Sequence, residues 1–308
     1  MKRILVLYFS QSGQQKLIIQ SLVKPLLDAG NEIFIEEIKP EKKYPFPWNA
    51  YEFFNAFPET FKQQPLALEP LSSKAFENYD LIILSYQPWF LSPSRPISSF
   101  LQSPEGKKII NNKPVITILG CRNMWLSAQE KVKQWLQQAN AKLVGHIALI
   151  DHSSNVVSLI TILHWMLTGK KGAFWIFPAA GVADQDIQHA AVYGDLIKKS
   201  LDSNTYNGLQ NALNEKGAIQ IKPDLVLMER RGRKSFSVWS KFVAMGGSLD
   251  SDGRKFRLYL FMFLLPTLVI ILTPLLWVLS TLQLIIKKKE LLQEIEYFKQ
   301  LTLRESNK

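Results

Sequence analysis

The sequence is short of cysteine, of acid and of any secretory leader pattern. Cys121 is the only cysteine in 308 residues, which excludes a disulfide framework and fits a reducing compartment. Asp and Glu number 26 against 37 Lys and Arg, for a formal net charge of +11. An excess of that size points to an anionic partner, either nucleic acid or an acidic membrane surface. The start, Met1-Lys2-Arg3 and then a strand-like run, lacks the longer apolar core and small-residue cleavage site of a signal peptide. The catalytic part is therefore expected in the cytoplasm. Zinc-finger and RNA-reading motifs are also missing, which sets nucleic acid aside.

What is present begins with residues 3–9, a nearly continuous apolar run that reads as a strand buried on both faces. Ser10, Gln11, Ser12 and Gly13 break the pattern, and helical spacing starts at Gln14 and Gln15. A strand, a hydroxyl-rich turn and a helix N-terminus together make an anion site, with backbone N–H groups pointing outward and serine hydroxyls beside them. The plainer alternative is a turn and N-cap with no ligand. Further strands are expected at residues 31–39, 79–86, 113–120 and 142–151, with helices at 14–27, 97–101, 128–138 and 183–201. Strands alternating with helices imply an α/β fold with a parallel sheet, and five strands suggest the flavodoxin-like order 2-1-3-4-5. Residues 1–203 are assigned to this domain.

Residues 44–61 form an aromatic insert punctuated by Pro45, Pro47 and Pro58, so long regular structure is not expected there. It reads either as a satellite core or as an apolar lid or membrane-contacting face. Residues 156–167 are apolar but too short to span a bilayer. His164 within that run reads more readily as a packed residue than as a base.

Residues 204–257 are expected to be a basic linker, densest in Arg and Lys from 229 onward. Residues 258–286 carry no charge and are interrupted by Pro266 and Pro274. They read as a membrane segment, either one kinked span or two arms that dip into one leaflet and return. Residues 287–308 read as an amphipathic tail. Basic flanks beside an apolar segment point to lipid headgroups and place the protein on the cytoplasmic face of the inner membrane.

In the expected fold three loops meet at one edge of the sheet: residues 10–15, 87–95 and 121–125. Gln87 and Pro88 open the second loop, and Trp89 and Phe90 have rings able to stack on a planar ligand. Gly120 and Cys121 lead into Arg122 and Asn123 in the third. Arg122 keeps its charge and suits an oxyanion, while Asn123 suits a ring edge. Cys121 reads as a small structural thiol rather than a nucleophile, since no histidine is near it in sequence. No metal site is expected.

Tyr8-Phe-Ser-Gln-Ser-Gly13 resembles the FMN phosphate loop of flavodoxins, with Gln15 where that family usually has a hydroxyl residue. Residues 43–48, 85–93, 119–125 with 128–131, and 163–171 resemble phrases of a narrower bacterial group, the dialkylresorcinol condensing enzymes. That resemblance covers about two-thirds of the chain. It implies aromatisation of a dialkyl cyclohexanedione to a resorcinol lipid of the flexirubin and aryl-polyene type, downstream of a ketosynthase-like partner. The change removes two hydrogens, and no side chain accepts a hydride, so a redox cofactor is needed; FMN would serve. On this reading FMN lies on Ser10, Gln11, Ser12, Gly13, Gln14, Gln15, Gln87, Pro88, Trp89, Phe90, Gly120 and Cys121, with Arg122 and Asn123 on the substrate and Tyr86, His152 or His164 as the base. The rivals are a membrane-bound flavin NAD(P)H:quinone reductase and a membrane scaffold that has lost FMN.

Overall fold

The computed structural model describes residues 1–249 and 251–304, with the side chains of residues 266, 269–270 and 272–278 excepted. The first apolar run is strand β1 (Arg3–Tyr8), followed by helix α1 (Gln14–Asp28) and β2 (Glu32–Glu37). The insert contains two short helices, α2 (Ala50–Asn55) and α3 (Phe57–Phe61). Then come β3 (Leu81–Tyr86), a small hairpin of β4 (Pro88–Trp89) and β5 (Ser92–Pro93), α4 (Arg95–Gln102) and α5 (Pro104–Ile110). β6 (Pro114–Cys121), α6 (Leu126–Gln138), β7 (Lys142–Ile150) and α7 (Asn155–Thr168) follow. The remaining helices are α8 (Asp184–Asp202), α9 (Leu209–Glu215), α10 (Pro223–Ala244), α11 (Asp252–Ile286) and α12 (Lys288–Phe298).

The main sheet has the order β2-β1-β3-β6-β7, and every pair in it is parallel. Counting only its own strands, this is the expected flavodoxin-like order 2-1-3-4-5. Strand alternation divides the core in two. Ile4, Val6 and Tyr8 join residues of α1 and α8 on one face, while Leu5, Leu7 and Phe9 join α4, α6, α10 and α12 on the other. α1 and α8 pack so closely that a Cβ on Gly194 would lie 2.1 Å from the carbonyl oxygen of Leu22.

The C-terminal third differs from its sequence expectation. Much of the basic segment read as a linker is α10, a 22-residue helix. Its apolar residues Val226 and Leu227 belong to the core on one face of the sheet, and Arg230 pairs with Glu290 of α12 at 2.7 Å. The charge density concealed an amphipathic pattern, because Arg233, Lys234 and Lys241 face solvent while Arg230 and Arg231 reach across to α12 and α11. α12 is amphipathic as expected, and its apolar face is turned into the protein, with Leu291, Ile295 and Phe298 buried.

α11 is one continuous helix of 35 residues, which corrects the two-arm alternative. Its first half packs on the insert and α10 through a third cluster of Phe57, Val243, Leu258 and Phe261. Among the described residues no helix is long and apolar enough to cross a membrane. The middle of the expected membrane segment, residues 266, 269–270 and 272–278, lies outside the described side chains.

Candidate functional site at the carboxyl edge of the sheet

β1 leaves the sheet between β2 and β3, where successive connections turn in opposite directions, and such switch points are where open α/β sheets take ligands. Gly13, with φ +83°, ends the β1–α1 loop, and its conformation is one that a side chain would strain. The helix it starts has no side-chain cap and no acid in its first turn. Its leading N–H groups are thus free of a competing carboxylate, and the dipole presents positive potential outward.

Three buried side-chain atoms on these loops have no hydrogen-bond partner among the described residues: Ser10 Oγ, Ser94 Oγ and Asn123 Oδ1. They come from the loops after β1, β3 and β6, three neighbouring strands. Buried polar atoms are almost always partnered in folded proteins, so three orphans on adjacent loops are not explained by packing. The first hydroxyl, the uncapped helix and Ser12 suit a phosphate; the third atom suits an amide or ring edge.

The two glutamines at the start of α1 do other work. Gln15 is buried at the second helical position and points into the sheet. Its amide nitrogen donates to Ser85 Oγ at 2.5 Å and to the Ile118 carbonyl at 3.3 Å, and its oxygen accepts the Gly120 N–H at 3.1 Å. A Cβ on Gly120 would meet Ile18 Cδ1 at 2.6 Å, so that glycine lets α1 sit on β6. Gln15 and Gly120 are therefore internal struts, which corrects their assignment to a ligand. Gln14 reaches sideways, donating to the Val182 carbonyl at 3.2 Å and accepting its N–H at 3.3 Å. Gln11 donates to the Pro45 carbonyl at 2.6 Å and so ties the insert to the loop. With its amide turned to face complementary atoms, Gln87 donates to the Phe9 carbonyl at 2.7 Å and accepts the Gln11 N–H at 3.2 Å. Sequence reasoning missed these clamps because nothing in a glutamine's identity says which way its amide turns.

Pro88 and Trp89 start the small hairpin, whose turn residues Phe90 and Leu91 have φ of 49° and 61°. Trp89 is half-buried against the rings of Phe9, Tyr44 and Trp48, at 5.6, 5.0 and 5.6 Å, all edge to face. Tyr44 and Trp48, from the insert, thus belong to the wall of the site. Phe90 turns the other way, into the satellite cluster with Phe53 and Phe57 at 5.2 and 5.3 Å. That placement corrects its assignment as a stacking residue.

At the end of β6, Arg122 donates to the Asn155 carbonyl at 2.9 Å, to Asn155 Oδ1 at 2.7 Å and toward Met124 Sδ at 3.3 Å. All of these partners are neutral. Burial lowers its pKa to about 10, with Cys121, Asp151 and Glu229 opposing the shift. A guanidinium held by neutral groups in a poorly solvated place is suited to an oxyanion. Burial raises the Cys121 thiol well above its usual range, as befits an inert structural cysteine.

Of the three bases considered, Tyr86 is fully buried, donates to Gln129 Oε1 at 2.6 Å and is pushed further from ionising by burial. His164 stacks on Phe174 at 3.8 Å. It lies nine residues beyond Asn155 on α7, about 13 Å along the axis, so Arg122 and His164 are not brought together. His152, just past β7, has Nε2 3.2 Å from Asp186 Oδ2 and stays about half exposed, in a small cleft with His189 and Tyr193 of α8. No cluster able to hold a metal ion occurs among the described residues.

No protein-family profile matches the chain, and no curated protein matches it. Among solved structures it is similar to a flavoprotein in complex with FMN from Lactobacillus acidophilus, at 19% identity and a TM-score of 0.40 over 48% of this chain and 93% of that one. It is also similar to oxidised flavodoxin 1 from Bacillus cereus, at 13% identity and a TM-score of 0.35 over 63% of this chain and 95% of the other. A third similarity is to RosB with a bound intermediate, at 12% identity and a TM-score of 0.36 over 72% of this chain and 92% of that one.

Proposed function

We propose that this protein is an FMN-dependent oxidoreductase that aromatises a dialkyl cyclohexanedione to a resorcinol lipid at a membrane. The observation that carries the flavin reading is the set of partnerless buried atoms, Ser10 Oγ, Ser94 Oγ and Asn123 Oδ1, on adjacent loops at the switch point. Ser10, Ser12 and the leading N–H groups of α1 would hold the phosphate. Trp89 and Tyr44 would wall the ring, and Asn123 would meet its polar edge. FMN, when bound, supplies the acceptor for the hydride equivalent that no side chain can take. Arg122 holds the dione as its enolate by donating to the ring oxygen. His152, oriented by Asp186, takes the proton from the neighbouring carbon.

The substrate class rests on the resemblance of residues 43–48, 85–93 and 119–125 to the dialkylresorcinol enzymes. The membrane site rests on the exposed apolar side chains of α11, including Phe256, Phe263, Ile285 and Ile286, and on the basic residues of α10. A ketosynthase-like partner would deliver the dione.

The absorbance spectrum of the detergent-purified protein, before and after adding FMN, tests the reading. Near-stoichiometric bound flavin, bleached anaerobically by a dialkyl cyclohexanedione, is expected. One observation favours a second reading, a scaffold without flavin: Gln11 draws the insert onto the loop through the Pro45 carbonyl. A colourless protein that no FMN reconstitutes would establish that alternative.

A further inference from the structure

Trp175 is 92% exposed and Ile176 is 80% exposed, at the tip of the loop between α7 and α8. The tip is a tight turn. Phe174 and Phe177 exchange both backbone hydrogen bonds, at 3.1 and 2.9 Å, and leave Trp175 and Ile176 as the two turn residues. Trp175 has φ +50°, a left-handed conformation that a bulky side chain adopts only under strain.

The loop is held at several levels. The Ala180 N–H donates to the Lys171 carbonyl at 2.9 Å. Gln14 clamps Val182, and Phe174 stacks on His164 at 3.8 Å. These anchors present two large apolar side chains to water in a strained turn, the reverse of what burial of apolar surface favours.

The surroundings are basic. Lys170 is exposed, and Lys171 is paired with Asp184 at 2.6 Å. The Trp48 N–H donates to the Met166 carbonyl at 2.8 Å, which brings the insert, preceded by exposed Lys42 and Lys43, against the end of α7. Glu41 and Asp184 are the exposed acids beside them. An exposed apolar tip carrying tryptophan, with Lys170, unpaired among the described residues, at the base of its loop and Lys42 and Lys43 on the neighbouring insert, matches the interface of an anionic bilayer, where the indole sits at headgroup depth and lysines meet lipid phosphates.

We infer that Trp175 and Ile176 insert into the interface of an anionic membrane and turn the carboxyl edge of the sheet toward the lipid. This deepens the function proposed above and rests on it for its purpose. Gln14 ties the same loop to α1, so a tip seated in the bilayer would set the mouth of the site where a dialkyl substrate arrives.

The test uses the full chain with Ile176→Cys, labelled with an environment-sensitive fluorophore. The unsubstituted protein, labelled in parallel, serves as the blank for the partly buried Cys121. The protein is reconstituted with vesicles of phosphatidylcholine alone or mixed with phosphatidylglycerol. A blue-shifted emission quenched by nitroxide-labelled lipid in the mixed vesicles, and weakened about tenfold by Trp175→Ala, is the expected result. Emission that stays water-like in both vesicle types would overturn the inference; a blue shift only on adding a partner protein would do the same. Flavin absorbance read on the same samples separates failure of membrane insertion from failure of the flavin reading.

Discussion

The guanidinium of Arg254 grips both carboxylate oxygens of Glu59, at 2.8 and 2.7 Å, and is itself only 1% exposed. It also donates to the side chain and carbonyl of Asn55, at 2.7 and 2.8 Å. The pair fastens the first turn of α11 to the aromatic insert. Removing one partner strands a buried charge, so Glu59→Leu and Arg254→Met are each expected to lower stability by about 3–5 kcal/mol. Replacing both, as Glu59→Leu with Arg254→Met, should lose much less than the sum. Denaturant midpoints for the four proteins of this cycle measure the difference, and strictly additive losses would count against a buried pair.

Gln15 is predicted to matter for the fold and little for the ligand. Gln15→Ala leaves the Gly120 N–H and Ser85 Oγ without their partner, at about 2–3 kcal/mol. Folded Gln15→Ala protein should still take up FMN with about the wild-type affinity, since the lost amide faces the sheet. Thermal unfolding and flavin titration on one preparation check both halves.

Ser10→Ala should behave in the opposite way. Its hydroxyl has no protein partner among the described residues, so the change should be close to neutral in stability. A lost hydrogen bond to a charged phosphate should weaken FMN binding about ten- to a hundredfold. Quenching of flavin fluorescence gives the dissociation constant, and unchanged affinity would remove Ser10 from the phosphate site.

Lys133 is buried, with its ammonium donating to the carbonyls of Gln300 and Thr302 at 2.8 and 3.2 Å and lying over the Tyr297 ring. Burial lowers its pKa from 10.5 to about 8. A base whose folded pKa is lowered penalises the fold while it is charged, fully below about pH 8, and the penalty fades as pH rises toward 10.5. Lys133→Met should therefore stabilise the protein at pH 7, by up to about 3 kcal/mol. The gain should shrink between pH 8 and 10.5, the window set by the two pKa values. Unfolding curves across that range test the sign.

The sheet was legible because residues 3–9 and 79–86 are apolar almost throughout, and only strands buried on both faces, or buried helices, need that. The site loops were legible as places, since they follow the strands. The directions of their side chains were not. Gln15 turns inward and Gln14 sideways because consecutive helix positions point about 100° apart, and the sequence does not reveal which face meets the sheet. Phe90 and Trp89 part company for a similar reason, at a turn whose positive φ values have no marker in Phe90 or Leu91. α10 escaped notice because Arg230, Arg231, Arg233 and Lys234 outweighed the spacing of Leu225, Val226 and Phe236.

Glu229, buried on α10, accepts the backbone N–H groups of Leu126 and Ser127 and so caps α6 from another helix. Burial raises its pKa, while these bonds act to lower it. α6 begins immediately after Arg122, Asn123, Met124 and Trp125. The basic helix and the Arg122 loop are thus coupled like a latch and its catch. The start of α6, and with it the footing of the Arg122 loop, therefore depends on one side chain of a helix that lies more than a hundred residues further along the chain.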